Sequence, residues 1–315
     1  MDILRSYLSS EPFLVLDGAF GTEISRRGVD TSDALWSARA LYENPALIVA
    51  LHEDYYRKGA DIATCASYQA TVEGFQNKGF SHEEAKRLIR RSVELAKEAR
   101  DQVALEIPHG TRPYPLVAAS VGPYGAFLAN GSEYTGDYGL PEKALQEFHA
   151  ERLPLLISAK PDILACETLP ILTEARAITK ELKKYPNIGA WFSFSCKNGR
   201  ETTGGDVISD CARFLDANPQ VLAIGVNCTA PEYISPLIRS LRHATSKPIV
   251  VYPNSGETYD VQTKNWHGVA RPFASYAKEW WEEGARLIGG CCRTTPDDIA
   301  AIAHVRQSLK RTQAL

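Results

Sequence analysis

Eight short apolar segments recur along the chain, and most are followed by a stretch with helical periodicity. Each segment is a continuous apolar run, which is typical of strands buried on both faces of a parallel sheet. The segments span residues 13–17, 61–65, 115–121, 162–166, 188–195, 221–227, 248–252 and 286–289. Eight such units in 315 residues predict a single-domain (β/α)8 barrel, a TIM barrel, over residues 1–315.

The intervening stretches carry the helices of this predicted barrel. The clearest helical patterns lie at residues 45–58, 82–104, 141–159 and 171–184. The stretch 124–140 is rich in Gly and Tyr and is predicted to be a long loop, whose aromatic residues either line a pocket or lie on the surface. An open doubly wound sheet is the alternative, but Gly18 and Gly21 do not supply its usual GxGxxG fingerprint.

The composition excludes several classes of protein. The apolar content of 44% and the charged content of 23% are ordinary for a globular chain. A net charge of −3, with no basic run, argues against a nucleic-acid partner. No signal peptide and no apolar run near the ~18 residues of a membrane span can be found. We therefore expect a cytoplasmic protein without a membrane partner.

Two adjacent cysteines, Cys291 and Cys292, directly follow Gly289 and Gly290 after the eighth predicted strand. Neighbouring cysteines bond poorly to each other because a vicinal disulfide departs from ordinary geometry. They are well suited to offer two thiolates to one soft metal ion, and the glycines allow a tight turn. Two thiolates do not complete a zinc site, so a third ligand is expected elsewhere in the chain.

In a barrel, the residues that carry chemistry lie at the carboxyl ends of the strands. Cys228 is the best candidate for the third ligand, because it closes the sixth strand and that strand lies near the eighth around the ring. Three thiolates on zinc leave a fourth position open, which is typical of a catalytic site. The other polar strand ends are Asp17, Thr64, Cys65, Ser120, Glu167, Ser195, Asn227 and Asn254.

Structural roles compete with these functional ones. Cysteine is often a buried apolar residue, which leaves the role of Cys228 open by position alone. Asp17 and Glu167 could be helix caps or structural ion pairs, although acids at strand ends favour a site role. Ser120 and Ser195 are predicted to be structural. Burial without a ligand role is expected for Cys65, Cys166, Cys196 and Cys211.

The histidines give weaker signals. No pair of histidines lies at strand ends, which counts against a zinc hydrolase with a polarised water. His267 falls on a predicted loop after the seventh strand and receives no ligand role. Solvent-exposed positions are predicted for His52, His82, His149, His243 and His304.

Three thiolates make zinc a poor activator of water but leave room for a fourth sulfur. A thiol bound there loses its proton at neutral pH, because the cation stabilises the anion. Two nearby carboxylates, Asp17 and Glu167, would hold an ammonium group on the same small molecule. A thiol together with an ammonium group describes an amino-acid thiol that accepts an alkyl group.

Four motifs, in this order, make the chain similar to the homocysteine S-methyltransferase family. The similarity covers nearly the whole chain. The motifs are Asp-Gly-Ala-Phe-Gly-Thr-Glu at 17–23, Cys-Glu-Thr at 166–168, Val-Asn-Cys at 226–228 and Gly-Gly-Cys-Cys at 289–292.

This resemblance implies one zinc ion on Cys228, Cys291 and Cys292. It also implies L-homocysteine as the methyl acceptor, with its amino group held by Asp17 and Glu167. The remaining substrate contacts are expected from Thr64, Ser67, Tyr68 and Asn227. By similarity with betaine-using members, Tyr68 occupies the open zinc position when no thiol is bound.

The branch of the family is indicated by two further stretches. Ser-Tyr-Gln-Ala-Thr at 67–71 and Tyr-Pro-Asn-Ser-Gly-Glu at 252–257 resemble members that use S-methylmethionine, with S-adenosylmethionine as a poorer donor. The chain has no room for cobalamin or folate modules and lacks the longer C-terminal extension of betaine-type enzymes. A selenocysteine or betaine-homocysteine methyltransferase on the same zinc site, and a non-catalytic zinc–thiolate protein, remain the alternatives.

Overall fold

The computed structural model describes residues 2–29, 40–260, 265–267 and 272–313. Every apolar segment predicted to be a strand forms one. The strands are β1 (Leu14–Val15), β2 (Ile62–Thr64), β3 (Leu116–Val121), β4 (Ile163–Leu169), β5 (Ala190–Phe194), β6 (Val221–Asn227), β7 (Ile249–Tyr252), β8 (Thr258–Asp260), β9 (Asn265–His267) and β10 (Ala285–Ile288).

Eight of these strands form one parallel sheet that closes as a barrel. Their order is β1-β10-β7-β6-β5-β4-β3-β2, and β8 pairs with β9 in a separate antiparallel hairpin. A parallel bridge between Leu16 and Ile62 joins the first strand to the second. The predicted (β/α)8 barrel is therefore confirmed, and all eight strands end at one rim.

Helices form over all four stretches with clear helical patterns, and further helices accompany them. They are α1 (Ile3–Leu8), α2 (Phe20–Arg26), α3 (Ala40–Glu43), α4 (Pro45–Arg57), α5 (Val72–Gln76), α6 (His82–Ala104), α7 (Tyr124–Leu128), α8 (Glu142–Ser158), α9 (Leu172–Leu182), α10 (Ile208–Asp216), α11 (Ile234–Arg242), α12 (Phe273–Glu283) and α13 (Pro296–Gln313). None of the helices in the described ranges is long and apolar enough to cross a bilayer.

The prediction that residues 124–140 form only a loop is wrong. Helix α7 and a 3₁₀ turn at Ser132–Tyr134 lie within it. Tyr124 and Phe127 of α7 pack their rings against Phe148 of α8, with centroids 5.0 and 5.6 Å apart. This long-range aromatic contact stabilises a short helix whose local sequence gives little sign of it.

The apolar residues form two layers. One set of alternating strand residues fills the barrel interior, with Trp191 the largest side chain, and the other packs against the helices. The four cysteines expected to be buried without a ligand role lie in buried positions, as predicted.

Two of the histidine predictions are wrong. His52 and His149 are fully buried. His52 packs its ring 5.5 Å from that of Phe20, and His149 makes a 2.9 Å hydrogen bond with Glu174. Each lies on the barrel-facing side of its helix, where tertiary packing decides exposure. His267 lies in strand β9 rather than in a loop, whereas exposure is confirmed for His82, His243 and His304.

A buried ion pair supports the closure of the barrel at its amino-terminal end. Asp61 accepts a 2.8 Å hydrogen bond from the backbone N–H of Val15, across the gap between β1 and β2. The same carboxylate pairs with Arg306 of α13, whose guanidinium also lies 3.7 Å from Glu11. Since both Asp61 and Arg306 are almost fully buried, loss of one partner leaves the other charge in an apolar environment.

We expect Asp61→Asn to lower the free energy of unfolding by about 3 kcal/mol, because the buried Arg306 loses its main partner. Chemical denaturation measures the change. Asp297→Asn is the matched control, since Asp297 pairs with Lys58 at 2.7 Å on the surface, where loss of an ion pair changes the free energy of unfolding far less. Equal losses in the two variants would contradict a special role for the buried pair.

Candidate active site

Three thiols from two distant parts of the chain meet at the carboxyl-terminal rim of the barrel. Cys228 follows β6, and Cys291 and Cys292 follow β10. The sulfur of Cys228 lies 2.9 Å from that of Cys291 and 3.6 Å from that of Cys292. All three side chains are partly accessible, and their sulfurs lie within 4.8 Å of one another. The three cysteines predicted to share a metal therefore lie together, and their role as ligands stays a prediction.

The donor set fits a soft metal ion. A tetrahedral zinc with Zn–S bonds of about 2.3 Å holds its sulfurs about 3.8 Å apart, close to the separation of Cys228 and Cys292. The sulfurs of Cys228 and Cys291 are closer together than that but remain unbonded, and all seven cysteines are free. Among the described residues, these three form the group of potential ligands that could hold a metal ion.

The thiols also influence one another's ionisation. The pKa of Cys292 is lowered well below its usual value, first by its hydrogen bond with Cys228 and then by that with Cys291. The pKa of Cys228 is raised in turn, first by its hydrogen bonds to Cys291 and Cys292. The three thiols therefore form one hydrogen-bonded group, and it is the thiolate form of a cysteine that binds a metal.

The glycines before the cysteines permit a close approach of the chain to β1. A Cβ on Gly289 would lie 2.5 Å from the Cβ of Leu16, and one on Gly290 would lie 2.4 Å from the hydroxyl oxygen of Thr294. That hydroxyl donates a 2.7 Å hydrogen bond to the carbonyl of Cys291. The two small residues thus let the thiol loop fold against its own helix start and the first strand.

The side chain of Asn227 holds the backbone of Thr168, the residue that follows the carboxylate-bearing Glu167 of β4. Its side-chain oxygen accepts a 2.8 Å bond from the N–H of Thr168, and its amide donates to the hydroxyl of Thr168 at 2.7 Å. This reciprocal pair holds Thr168 at a φ of 58°, a left-handed conformation that is costly for a β-branched residue. The strand register shifts between Cys166 and Leu169 as a consequence.

The two predicted carboxylates lie at the ends of β1 and β4 and are almost fully buried. Thr64 fixes Asp17: its N–H and its hydroxyl donate to the two carboxylate oxygens at 2.8 and 3.1 Å. Burial raises the pKa of Asp17 well above its usual value, against the hydrogen bonds from Thr64 and with a further rise from the charge of Glu167. Asp17 and Glu167 are therefore close enough for the charge of one carboxylate to affect the pKa of the other.

Glu167 receives a short hydrogen bond from the hydroxyl of Ser120. Ser67 in turn donates to the carbonyl of Ser120 at 2.6 Å, which fixes the end of β3. Burial raises the pKa of Glu167 to about 7, opposed by Ser120, and the charge of Cys291 raises it further. Two carboxylates with raised pKa values, close to thiols, prefer a cationic ligand.

Tyr68 lies in the same pocket. Its pKa is raised well above its usual value by burial and then by the charges of Glu133, Cys228 and Glu167. A Cβ on Gly122 would lie 2.5 Å from the carbonyl oxygen of Tyr68 and 2.6 Å from its ring, so β3 holds this tyrosine closely. The residues predicted for the site therefore lie at this rim, at or just after the carboxyl ends of β1, β2, β4, β6 and β10, and their roles stay predictions.

Sequence reasoning missed several contributors. Ser120 was predicted to be only structural, but it orients Glu167. Tyr252 links Trp191 and Ser193 inside the barrel, accepting a 3.0 Å hydrogen bond from the Trp191 ring nitrogen. A hydroxyl at a strand end was the available signal for both residues, since Tyr252 closes the seventh predicted strand as Ser120 lies at the end of the third.

Comparisons with known proteins agree with this geometry. Residues 14–306 match the homocysteine S-methyltransferase family. The chain belongs to that family. A homocysteine S-methyltransferase of Bacillus subtilis is 51% identical over 315 residues, which cover 99% of this chain and 100% of that protein.

Other members of the homocysteine S-methyltransferase family agree with this assignment. The crystal structure of the homocysteine methyltransferase from Escherichia coli in a metallated form is 46% identical, has a TM-score of 0.87, and covers 96% of this chain and 99% of that one. A selenocysteine methyltransferase of Astragalus bisulcatus is 45% identical over 313 residues, which cover 93% of this chain and 92% of that protein. The resemblance predicted from the motifs is confirmed, and the protein is a methyltransferase of this family.

We expect Asn227→Ala to lower the free energy of unfolding by about 2 kcal/mol or more, because the buried N–H of Thr168 and the hydroxyl of Ser193 lose their acceptor. Thr168→Gly removes the backbone strain, so the double variant should lose less than the sum of the two single changes. Denaturation of the four proteins measures this coupling.

Asn198→Ala is the control for this cycle. Asn198 also accepts two backbone N–H bonds, both at 2.8 Å, but in a partly exposed turn. We expect a loss below about 1 kcal/mol there, since water replaces the missing acceptor. A strictly additive double variant would contradict the view that Asn227 maintains the left-handed conformation of Thr168.

Proposed function

We propose that this protein transfers a methyl group from S-methylmethionine, or less well from S-adenosylmethionine, to L-homocysteine to give methionine. The observation that carries the proposal is the meeting of three thiols with two buried carboxylates at one rim. A single barrel domain over residues 1–315 would carry the whole activity, in the cytoplasm and without cobalamin or nucleic acid. The seven free cysteines fit a reducing compartment.

Cys228, Cys291 and Cys292 would hold one zinc ion. Three soft sulfur donors select a metal of this kind over magnesium or calcium. When bound, zinc would favour the thiolate form of an incoming amino-acid thiol at neutral pH.

Asp17 and Glu167 would bind the ammonium group of homocysteine. Both carboxylates are held in fixed orientations, Asp17 by Thr64 and Glu167 by Ser120. In the free protein their pKa values are raised by burial, and an ammonium group would lower them again by direct attraction. The two acids therefore orient the amino acid so that its sulfur points toward the thiols.

The transfer itself is a displacement at carbon. The homocysteine sulfur attacks the methyl carbon of the sulfonium donor in line, the bond between that carbon and the positive sulfur breaks, and its electron pair stays on the donor sulfur. Opposite charges are consumed, so a pocket with little water favours the step. Alignment of the two sulfurs supplies much of the remaining advantage, and no side chain need remove a proton during it.

A second candidate acceptor is selenocysteine. The relative from Astragalus bisulcatus that is named a selenocysteine methyltransferase is 45% identical, and Asp17 and Glu167 would hold the ammonium group of either amino acid. Betaine is the alternative donor, and a non-catalytic zinc–thiolate protein is the alternative class. The buried carboxylates count against that class, because metal storage alone does not require them.

Turnover with each donor and acceptor tests the proposal directly. Purified zinc-loaded protein is assayed for methionine formation from homocysteine with S-methylmethionine, S-adenosylmethionine and betaine as separate donors. We expect the first to be used best. Binding of zinc without turnover of any donor would reject the enzymatic proposal.

We expect Cys292→Ser to lose both bound metal and activity, the latter by at least about 100-fold, because a serine hydroxyl is a poor ligand for a soft ion. Metal content is measured by elemental analysis and folding by circular dichroism. Cys211→Ala, in the buried face of α10, should keep its metal. A Cys292→Ser protein with full turnover would contradict the thiolate mechanism.

We expect Glu167→Gln to raise the KM for homocysteine about tenfold or more, since the ammonium group loses one of its two charged partners. The matched control is 4-mercaptobutyrate, which keeps the thiol and carboxylate but has no amino group. The variant should treat this acceptor much as the unmodified protein does. An unchanged KM for homocysteine would reject the role of Glu167.

A further inference from the structure

A carboxylate beyond Asp17 and Glu167 lies at the same rim of the barrel, next to Ser195 after β5. Glu133 belongs to the 3₁₀ turn at Ser132–Tyr134, in the stretch that the sequence predicted to be a loop. Its charge contributes to the raised pKa values of Tyr68 and Tyr134, which are due first to burial and which Cys228 also raises. The same turn therefore brings an acid and an aromatic ring, that of Tyr134, to the mouth of the site.

Glu133 has no cation of its own. Its Oε2 atom is buried and has no hydrogen-bond partner, and no salt bridge of the described residues includes Glu133. Burial raises its pKa, and the only opposing groups are its own backbone N–H and that of Gly131. A carboxylate with one oxygen buried and no positive partner is costly to maintain unless a ligand supplies the charge.

The fold holds this turn in position. A Cβ on Gly125 would lie only 2.3 Å from the backbone nitrogen of Glu133, so α7 packs directly against the turn. The side chain of Asn130 accepts a 3.0 Å hydrogen bond from the N–H of Ser132, and Ser195 donates to the carbonyl of Glu133 at 3.4 Å. The position of the carboxylate thus follows from backbone contacts with α7 and with the end of β5.

Charge matching indicates what ligand Glu133 would take. Under the proposed function, on which this inference rests, Asp17 and Glu167 hold the ammonium group of the acceptor. The other substrate is a sulfonium, a cation with polarised methyl groups. A carboxylate and an aromatic face are the two groups that best recognise such a cation, and Tyr134 leaves 38% of its surface exposed at the rim.

We propose that Glu133 and the ring of Tyr134 form the binding site for the sulfonium group of the methyl donor. The attraction exists only before the transfer. Once the methyl carbon bonds to the acceptor sulfur and the electron pair of the broken bond returns to the donor sulfur, the donor becomes a neutral thioether. Glu133 then has no cation to hold. The spent donor is therefore bound less tightly than the intact donor.

The experiment measures steady-state kinetics of zinc-loaded Glu133→Gln with homocysteine and S-methylmethionine. We expect the KM for S-methylmethionine to rise about 10- to 100-fold, while the KM for homocysteine stays within about twofold and kcat changes little. A carboxylate that binds the cation mainly in the ground state affects KM rather than kcat. Glu98→Gln, on the outer face of α6, is the control and should leave all three constants unchanged.

The aromatic half of the site is tested by a second pair of variants. Tyr134→Leu removes the ring face and should raise the KM for S-methylmethionine about threefold or more, whereas Tyr134→Phe keeps the face and should change it little. This pair also keeps the test decisive if Glu133→Gln is unstable, which circular dichroism reports. Equal effects of Leu and Phe would overturn the role of the ring.

The outcomes separate this inference from the proposed function. If the unmodified protein uses no sulfonium donor, the proposed function fails and the donor site fails with it. If the unmodified protein turns over S-methylmethionine but Glu133→Gln keeps its KM for that donor, only the assignment of Glu133 is overturned. A fall in kcat together with a rise in both KM values would also overturn it, because that pattern indicates general damage to the pocket.

Discussion

Two carbonyl groups at the end of β7 hold the thiol-bearing loops together. The N–H of Cys228 donates to the carbonyl of Tyr252 at 3.2 Å, and the N–H of Cys291 donates to that of Pro253 at 2.7 Å. Strand β7 lies between β6 and β10 in the sheet, so it is the natural bridge between the two segments. Sulfur atoms more than 60 residues apart in sequence are thereby aligned by backbone hydrogen bonds, before any metal contributes.

Backbone strain is concentrated around the same rim. Cys228, Thr168 and Arg293 all have positive φ values, of 48°, 58° and 70°, although none is glycine. Residues in this region persist only where the surroundings over-determine them. Here the reciprocal hydrogen bonds of Asn227 hold Thr168, and Arg293 is held by its N–H bond to Thr22 and its ion pair with Glu257 at 3.0 Å. The sharp turns lie at the ends of β4, β6 and β10, which alternate with β5 and β7 around the sheet.

Sequence patterns predicted the features that depend on residues close together in the chain. Continuous apolar runs identified all eight barrel strands, and the adjacent pair Cys291 and Cys292 indicated a shared metal ligand role because packing offers no reason for it. Features that depend on contacts across the fold escaped prediction. The exposure of His52 is decided by which side of α4 meets the barrel, and the helix beginning at Tyr124 depends on aromatic packing against α8.

The same distinction applies within the site. Asp17 and Glu167 could be found because acids at barrel strand ends are unusual in a purely structural role. Ser120 shares that position but is a common buried residue, so only its hydrogen bond to Glu167 reveals its part. Glu133 lies outside every strand end, and its importance follows from a missing partner rather than from a motif. A missing partner is visible only once all the neighbours of a side chain are known.

Electrostatics connects these observations. The free pocket gathers the carboxylates of Asp17, Glu167 and Glu133 around a cluster of thiols, and burial raises the pKa of each acid. Such an arrangement is unfavourable without cations. Under the proposed function, a divalent metal ion, an ammonium group and a sulfonium are the cations that these three anionic groups would bind. Binding of each cation would reduce the repulsion among the anionic groups of the site. Assembly of the complete reacting complex would therefore be favoured over any partial one.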